Sequence, residues 1–155
     1  GFEEFRPTTI NNANRQLREQ MLDLLQNSPL SRNLQRLAES SVERNAEHAT
    51  YIFPSGDFGD VSIVAYYNVN TPNRPINSTG FIHTHVVSED VLAPPSGGDI
   101  PSNQDFESHP IQLVLEARSG RVWGIFSPQH ANLLGRINSR GGATRFCETS
   151  VIANI

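Results

Sequence analysis

The chain has 155 residues, of which 37% are hydrophobic and 18% are charged, and this balance is typical of one folded domain with its own core. Its net charge of −4 gives no basic footprint for nucleic acid, and no apolar run is long enough to cross a membrane. The single cysteine, Cys147, excludes an internal disulfide and a cysteine-rich zinc site, and its β-like surroundings predict an ordinary strand residue.

The first third of the chain predicts two helices. Residues 1–12 are polar, show no period and predict an arm. Apolar residues then recur at helical spacing from Leu17 onwards. Ser28 and Pro29 have the order of a helix cap and a first-turn proline, and a second apolar stripe starts at Leu30.

The middle of the chain predicts strands. Residues 49–53 form a β-like run, residues 56–60 have the composition of a hairpin turn, and residues 61–69 form a second run. Residues 70–78 contain two prolines and predict an exposed loop. The next β-like run, residues 79–85, ends in two histidines.

These histidines, His83 and His85, are the strongest chemical signal in the chain. Positions i and i+2 of a strand face the same side, so the two imidazoles can aim at one point. A Pro/Gly-rich loop follows and brings Asp99 within reach of that point. Two histidines and one carboxylate are the three protein ligands of a catalytic zinc, which keeps a fourth position open. We therefore predict a Zn²⁺ site formed by His83, His85 and Asp99.

The same residues resemble the motif of the JAMM (MPN-plus) zinc metalloprotease and isopeptidase family. That motif has an upstream Glu, then His-x-His, a spacer and Ser-x-x-Asp. Here His83 and His85 match the histidines, and Ser96 and Asp99 match the last part. The resemblance covers roughly residues 30–126 of the chain.

The chain departs from the family pattern in two places. Val86 stands where the family usually has proline, and the spacer of residues 86–95 is longer than usual. A second match, Ser102 and Asp105, needs a still longer insertion. Asp99 is the preferred ligand because it requires a shorter insertion in the spacer after His85. Asp105 is the alternative.

The resemblance also implies roles for three further side chains. Glu47 corresponds to the catalytic Glu, which accepts a proton from the attacking water and passes it to the leaving amine. Glu43, one helical turn earlier, is the alternative. The hydroxyl of Ser96 either donates a hydrogen bond to the developing oxyanion or caps a short helix.

The last third predicts a hairpin over residues 111–126, a helix that starts at Ser127 and ends at Gly142, and a final strand over residues 143–147. The order of elements predicts a single α/β domain with a mixed β-sheet flanked by helices. The resemblance implies the JAMM/MPN-like, cytidine-deaminase-like layout. We therefore predict two parts of the chain: an N-terminal arm and helix, residues 1–28, and a metalloprotease domain, residues 29–155.

The predicted function is a zinc-dependent peptidase or isopeptidase that hydrolyses an amide bond. The family's substrates include peptides and isopeptide links to ubiquitin-like proteins, so we expect a protein or peptide partner, and no nucleic acid or membrane. The alternatives are a catalytically silent MPN-like binding module and an unrelated metal enzyme that hydrolyses phosphate esters. The chain begins at Gly1 without a signal-peptide pattern, and we expect a domain excised from a larger secreted or effector protein.

Overall fold

The computed structural model of the chain describes residues 6–7, 12–64, 74–127, 130–145 and 150–153. Within these ranges the protein has an α/β arrangement of three helices and a mixed sheet, which confirms the predicted fold class. No helix in the described ranges has the length and apolar character that crossing a membrane requires.

One sheet contains all the described strands. They are β1 (Arg6–Pro7), β2 (Glu47–Ile52), β3 (Ser62–Val64), β4 (Gly80–His85), β5 (Ile111–Glu116), β6 (Arg121–Ser127), β7 (His130–Ile137), β8 (Ala143–Arg145) and β9 (Ser150–Ala153). Their order is β1-β9-β7-β6-β5-β4-β2-β3, and β8 pairs with β7. The pair β4–β5 is parallel, whereas the other described pairs are antiparallel.

Two helices, α1 (Asn12–Asn27) and α2 (Leu30–Arg44), cover one face of this sheet. Both agree with the predicted apolar stripes. Between them, the Ser28 hydroxyl accepts a hydrogen bond from the N–H of Leu30 at 3.1 Å, which satisfies one of the free donors at the start of α2. Met21 of α1 and Leu34 of α2 are fully buried in one core with Leu113 of β5. Helix α1 therefore shares a core with helix α2 and strand β5.

Strand β4 separates this core from the opposite face of the sheet. Its side chains alternate, so that Ile82 and Thr84 are buried beneath the helices. Phe81, His83 and His85 are half-buried on the other face. The period of a β-strand thus places both histidines on one side, as the sequence predicts.

The connection from β4 to β5, residues 86–110, covers the histidine face. Parallel neighbours cannot be joined by a tight turn, so this segment must cross the sheet. It contains a 3₁₀ turn (Gly97–Asp99) and a short helix, α3 (Asn103–Ser108). Apolar side chains of the crossover, Leu92 and Phe106, pack on a small second core of β5 and β6.

The helix predicted from Ser127 to Gly142 is wrong, because strand β7 (His130–Ile137) occupies the middle of this segment. Strand β7 pairs with β6 on one side and with β8 and β9 on the other. Ala131, Asn132 and Leu134 are all fully buried. A strand with both faces covered lacks the alternation of apolar and polar residues that identifies strands in a sequence.

The remaining strand predictions agree with the structure as far as it describes them. The hairpin over residues 111–126 is formed by β5 and β6. The predicted strand 61–69 is seen as Ser62–Val64, and its second half lies outside the described residues, together with residues 70–73. The final predicted strand is seen as Ala143–Arg145, and Cys147 lies outside the described residues.

The close approach of β4 and β5 at Gly80 leads to a prediction about the stability of the fold. A Cβ atom at Gly80 would lie 2.7 Å from the Cβ of Ile111 and closer still to the Ile111 carbonyl oxygen. Because backbone must shift to relieve this overlap, we expect Gly80→Ala to lower the free energy of unfolding by about 1–3 kcal/mol, measured by urea denaturation. Gly98→Ala is the control, since a Cβ there meets no atom within 4 Å. Equal stability of the two variants would contradict this account of the β4–β5 contact.

Candidate metal centre

The structure brings His83, His85 and Asp99 together on the face of the sheet covered by the crossover. Nε2 of His83 lies 2.9 Å from Oδ1 of Asp99, and Nε2 of His85 lies 3.2 Å from Oδ2. The two Nε2 atoms are 3.3 Å apart. Ligand atoms of the three residues lie within 4.8 Å of one another, so this group can hold a metal ion.

The chemistry of this donor set fits a cation. The two Nε2 atoms are 3.3 Å apart and both face the Asp99 carboxylate, so either protons donated to Asp99 or a bound cation keeps their lone pairs from facing each other. Metal binding at such a site replaces protons on the ligands. The two histidine side chains are 14% exposed and that of Asp99 is 21% exposed, which leaves the group open to water.

The orientation of His85 is fixed by the crossover. Its Nδ1–H donates a hydrogen bond to the carbonyl of Ala93 at 2.9 Å, so Nε2 is the nitrogen that faces the other ligands. Metal-binding histidines are usually held in this way. Burial alone would lower the pKa of His85, but the hydrogen bond and charge of Asp99, the Ala93 carbonyl and the charge of Glu47 raise it above its ordinary value.

The carboxylate of Asp99 is held by the turn that precedes it. The backbone N–H of Ser96 donates to Oδ2 of Asp99 at 3.0 Å, and the N–H of Asp99 donates to the Ser96 carbonyl at 3.0 Å. Burial alone would raise the pKa of Asp99, but hydrogen bonds from His83 and His85 hold it well below its usual range. Ser96 occupies the cap position of the 3₁₀ turn that carries Asp99 and is exposed.

The alternative pair, Ser102 and Asp105, is used elsewhere. The Ser102 hydroxyl caps α3 by accepting the N–H of Asp105 at 3.1 Å. The carboxylate of Asp105 forms an ion pair with Arg74 at 3.1 Å. The helix therefore starts next to Ser102, as the position of Pro101 suggests, but the side chain of Asp105 is directed to Arg74.

The proposed base, Glu47, lies on the same face as the histidines. Ala49 is the register partner of His83 in the antiparallel pair β2–β4, and continuing this register places Glu47 opposite His85. Glu47 is exposed, and its charge contributes to the raised pKa of His85. Its neighbour His48 points to the helix face, where its Nε2 lies 2.9 Å from the Ser40 hydroxyl. Glu43 is exposed on α2, on the helix side of the sheet, where it lines a separate cavity.

A buried carboxylate that the sequence analysis missed supports the loop over the site. Glu116 is 1% exposed and accepts hydrogen bonds from Trp123 Nε1 at 2.6 Å, Arg121 Nη1 at 2.8 Å and the Ser119 hydroxyl at 3.0 Å. Arg121 also donates to the carbonyl of Glu89 in the crossover at 3.2 Å. The signal in the sequence was an acidic residue that ends a largely apolar strand, with Arg and Trp in the next strand of the hairpin.

The other histidines of the described part of the chain have structural partners. His109 is buried, and its Nε2–H donates to the Ser78 hydroxyl at 2.6 Å. Burial, followed by the charge of Arg74, lowers the pKa of His109. His130 lies 3.0 Å from the Ser127 hydroxyl through Nδ1.

Comparisons of the chain with known protein families, with curated proteins and with solved structures found no match. The geometry of the site is therefore what a functional assignment depends on.

The contacts of the two aspartates predict different effects on metal binding. We expect Asp99→Asn to reduce zinc content per chain at least tenfold, because a neutral amide replaces a charged ligand. Asp105→Asn should keep the wild-type content, since Asp105 pairs with Arg74. Elemental analysis after incubation with zinc measures both, with the double variant His83→Ala/His85→Ala as the metal-free reference. Loss of zinc in Asp105→Asn alone would move the site to the second match.

The anchoring of the crossover by Arg121 predicts an indirect effect on the metal. Arg121→Gln removes the ion pair with Glu116 and the hydrogen bond to the Glu89 carbonyl, so the loop that orients His85 loses support. We expect zinc affinity to fall about tenfold, as measured by competition with a chelator. Arg118→Gln, an exposed arginine in the same hairpin turn, is the matched control. Equal affinities of the two variants would mean that the loop is held without Arg121.

Proposed function

We propose that this protein is a zinc-dependent hydrolase of amide bonds, with the metal held by His83, His85 and Asp99. The observation that carries the proposal is the meeting of two imidazoles and one carboxylate at an accessible point of the sheet. This donor set of two nitrogens and one oxygen matches the ligands of hydrolytic zinc sites. When bound, zinc supplies a Lewis acid that polarises a carbonyl group and makes water a nucleophile at neutral pH.

In this proposal, Glu47 acts as the general base and then as the general acid. It is an exposed carboxylate on the histidine face, and its charge acts on His85. A carboxylate placed in this way accepts a proton from the attacking water and returns it to the leaving amine. The Ala93 carbonyl holds the ring of His85 with Nε2 towards the other ligands. This ligand therefore need not rearrange during the reaction.

Ser96 is proposed to stabilise the charge that develops on the carbonyl oxygen. Its backbone is tied to the ligand Asp99 by two hydrogen bonds, and the residue is exposed. A fixed donor at this place lowers the energy of the tetrahedral oxyanion. Only one donor is needed for this role, and the cap position of Ser96 is compatible with it.

The order of these groups along the chain supports membership of the JAMM family. A Glu opens β2, a His-x-His pair ends β4, and Ser-x-x-Asp lies in the crossover that follows. The mixed sheet flanked by helices is compatible with the cytidine-deaminase-like layout of that family. On this proposal the substrates are proteins or peptides, including isopeptide links to ubiquitin-like proteins.

The role of Glu47 leads to a prediction that separates catalysis from metal binding. We expect Glu47→Gln to keep one zinc per chain and to lower kcat roughly 100-fold or more, because the proton acceptor is lost while the ligands remain. Turnover is measured on an unfolded protein and on an isopeptide-linked ubiquitin dimer, with a phosphate monoester to detect the alternative reaction.

Glu43→Gln is the matched control for this prediction, since Glu43 is an exposed acid on the opposite side of the sheet. It should keep both zinc and turnover. Loss of zinc in Glu47→Gln would make Glu47 a ligand, and unchanged turnover would mean that another group accepts the proton.

A further inference from the structure

A cavity of about 340 Å³ lies directly beside the candidate metal centre. Asp99 belongs to both, because its carboxylate contacts the histidines and the residue also lines the cavity. The volume is at the lower end of the range of about 300–1,000 Å³ found for ligand sites. A space of this size suits one large side chain rather than an extended segment of a partner.

Part of the cavity wall is aromatic and aliphatic. Tyr51 of β2 and Phe81 of β4 meet edge to face, with ring centroids 5.2 Å apart. The Phe81 ring is also 6.4 Å from the His83 ring, so this wall continues into the metal centre. On the crossover side the cavity is lined by Ile100 and Pro101. Aromatic rings prefer such offset and edge-to-face neighbours, and an aromatic ligand would complete the cluster.

The charged groups of the cavity lining compensate one another. Arg74 forms an ion pair with Asp105 at 3.1 Å and donates to the Ser108 hydroxyl at 3.1 Å. The carboxylate of Asp99 is engaged by the two histidines. His109 packs against Tyr51 and donates to Ser78. A charged ligand group would therefore lose water without gaining an unpaired partner, which is unfavourable.

We infer that this cavity binds an aromatic or large aliphatic side chain of the substrate, next to the amide bond that is hydrolysed. The inference rests on the proposed function for the identity of the substrate as a peptide. The cavity makes the enzyme selective for a residue type beside the cleaved bond. Selectivity of this kind comes from apolar contact, and charged residues at the same substrate position are rejected.

Gly98 provides a way to add a side chain at the edge of the cavity without disturbing the fold. It lines the cavity, and a Cβ atom at Gly98 meets no atom within 4 Å. Its φ lies outside the positive range, so a side chain there causes no backbone strain. Gly98→Leu places a branched side chain at the cavity wall, and Gly98→Ala is the matched control that leaves most of the space open.

The first experiment measures binding and needs no catalysis. N-acetyl amides of phenylalanine, leucine, lysine and glutamate are titrated into the full chain, supplied with zinc, and followed by NMR. We expect the phenylalanine and leucine compounds to shift the Gly98 backbone signal and the side-chain amide signal of Gln112, which lines the cavity. Gly98→Leu should weaken this binding about tenfold or more, and Gly98→Ala should stay within about twofold of wild type. Equal binding of the lysine or glutamate compound, or unchanged binding to Gly98→Leu, would overturn the inference.

The second experiment identifies cleavage sites in a peptide mixture by mass spectrometry. We expect one position beside the cut to be occupied mainly by aromatic or large aliphatic residues, and Gly98→Leu to shift that position towards small residues. Cleavage without any residue preference, together with no binding in the NMR titration, would overturn the inference and leave the proposed function standing. Binding of the phenylalanine compound without cleavage of any peptide would overturn the proposed function and leave the cavity assignment standing.

Discussion

The parallel pairing of β4 and β5 is the constraint on which the candidate site depends. Two parallel neighbours start at the same edge of the sheet, so the chain must return across one face between them. Helices α1 and α2 fill the opposite face with the main core. The crossover, residues 86–110, therefore lies over the face that carries His83 and His85, and it brings the Asp99 carboxylate to them. A tight antiparallel connection at this point would provide neither the third ligand nor a cover for the site.

The crossover is held in place through the buried carboxylate of Glu116, whose neighbours donate hydrogen bonds to it. Removing a carboxylate from water costs several kcal/mol unless donors replace the lost hydration. For Glu116 these donors come from Trp123 in the second core, from the hairpin turn and from Arg121. Arg121 then reaches the crossover backbone at Glu89, a few residues before the carbonyl that orients His85. The hairpin β5–β6, which supplies none of the ligands, thus contributes to holding the crossover over the candidate site.

The sequence predicted those features that depend on short spacings along the chain. The periods of α1, α2 and β4 are local, and the i, i+2 relation of His83 and His85 needs only the pleat of a strand. It preferred Asp99 to Asp105 only by the length of the loop insertion, because spacing does not tell which carboxylate folds back onto the histidines. Nor did it predict that β7 is a strand, since most of its residues are buried whichever face they occupy and the alternation is lost. The Glu116 network was missed for a related reason, because its meaning depends on partners that the hairpin brings together.

The residues of the candidate metal centre and of the neighbouring cavity come partly from the sheet and partly from the crossover. Strands β2 and β4 supply the two histidines, Tyr51 and Phe81, whose positions are fixed by hydrogen-bonded register. The crossover supplies Asp99, Gly98 and the apolar residues of the opposite cavity wall. Loops tolerate changes of length and sequence far better than paired strands do. A change in the crossover that preserves Asp99 and the Ala93 carbonyl would therefore reshape the cavity while keeping the ligand set. On the proposed function, the chemistry would therefore depend mainly on the sheet, and the choice of substrate mainly on the crossover that parallel pairing requires.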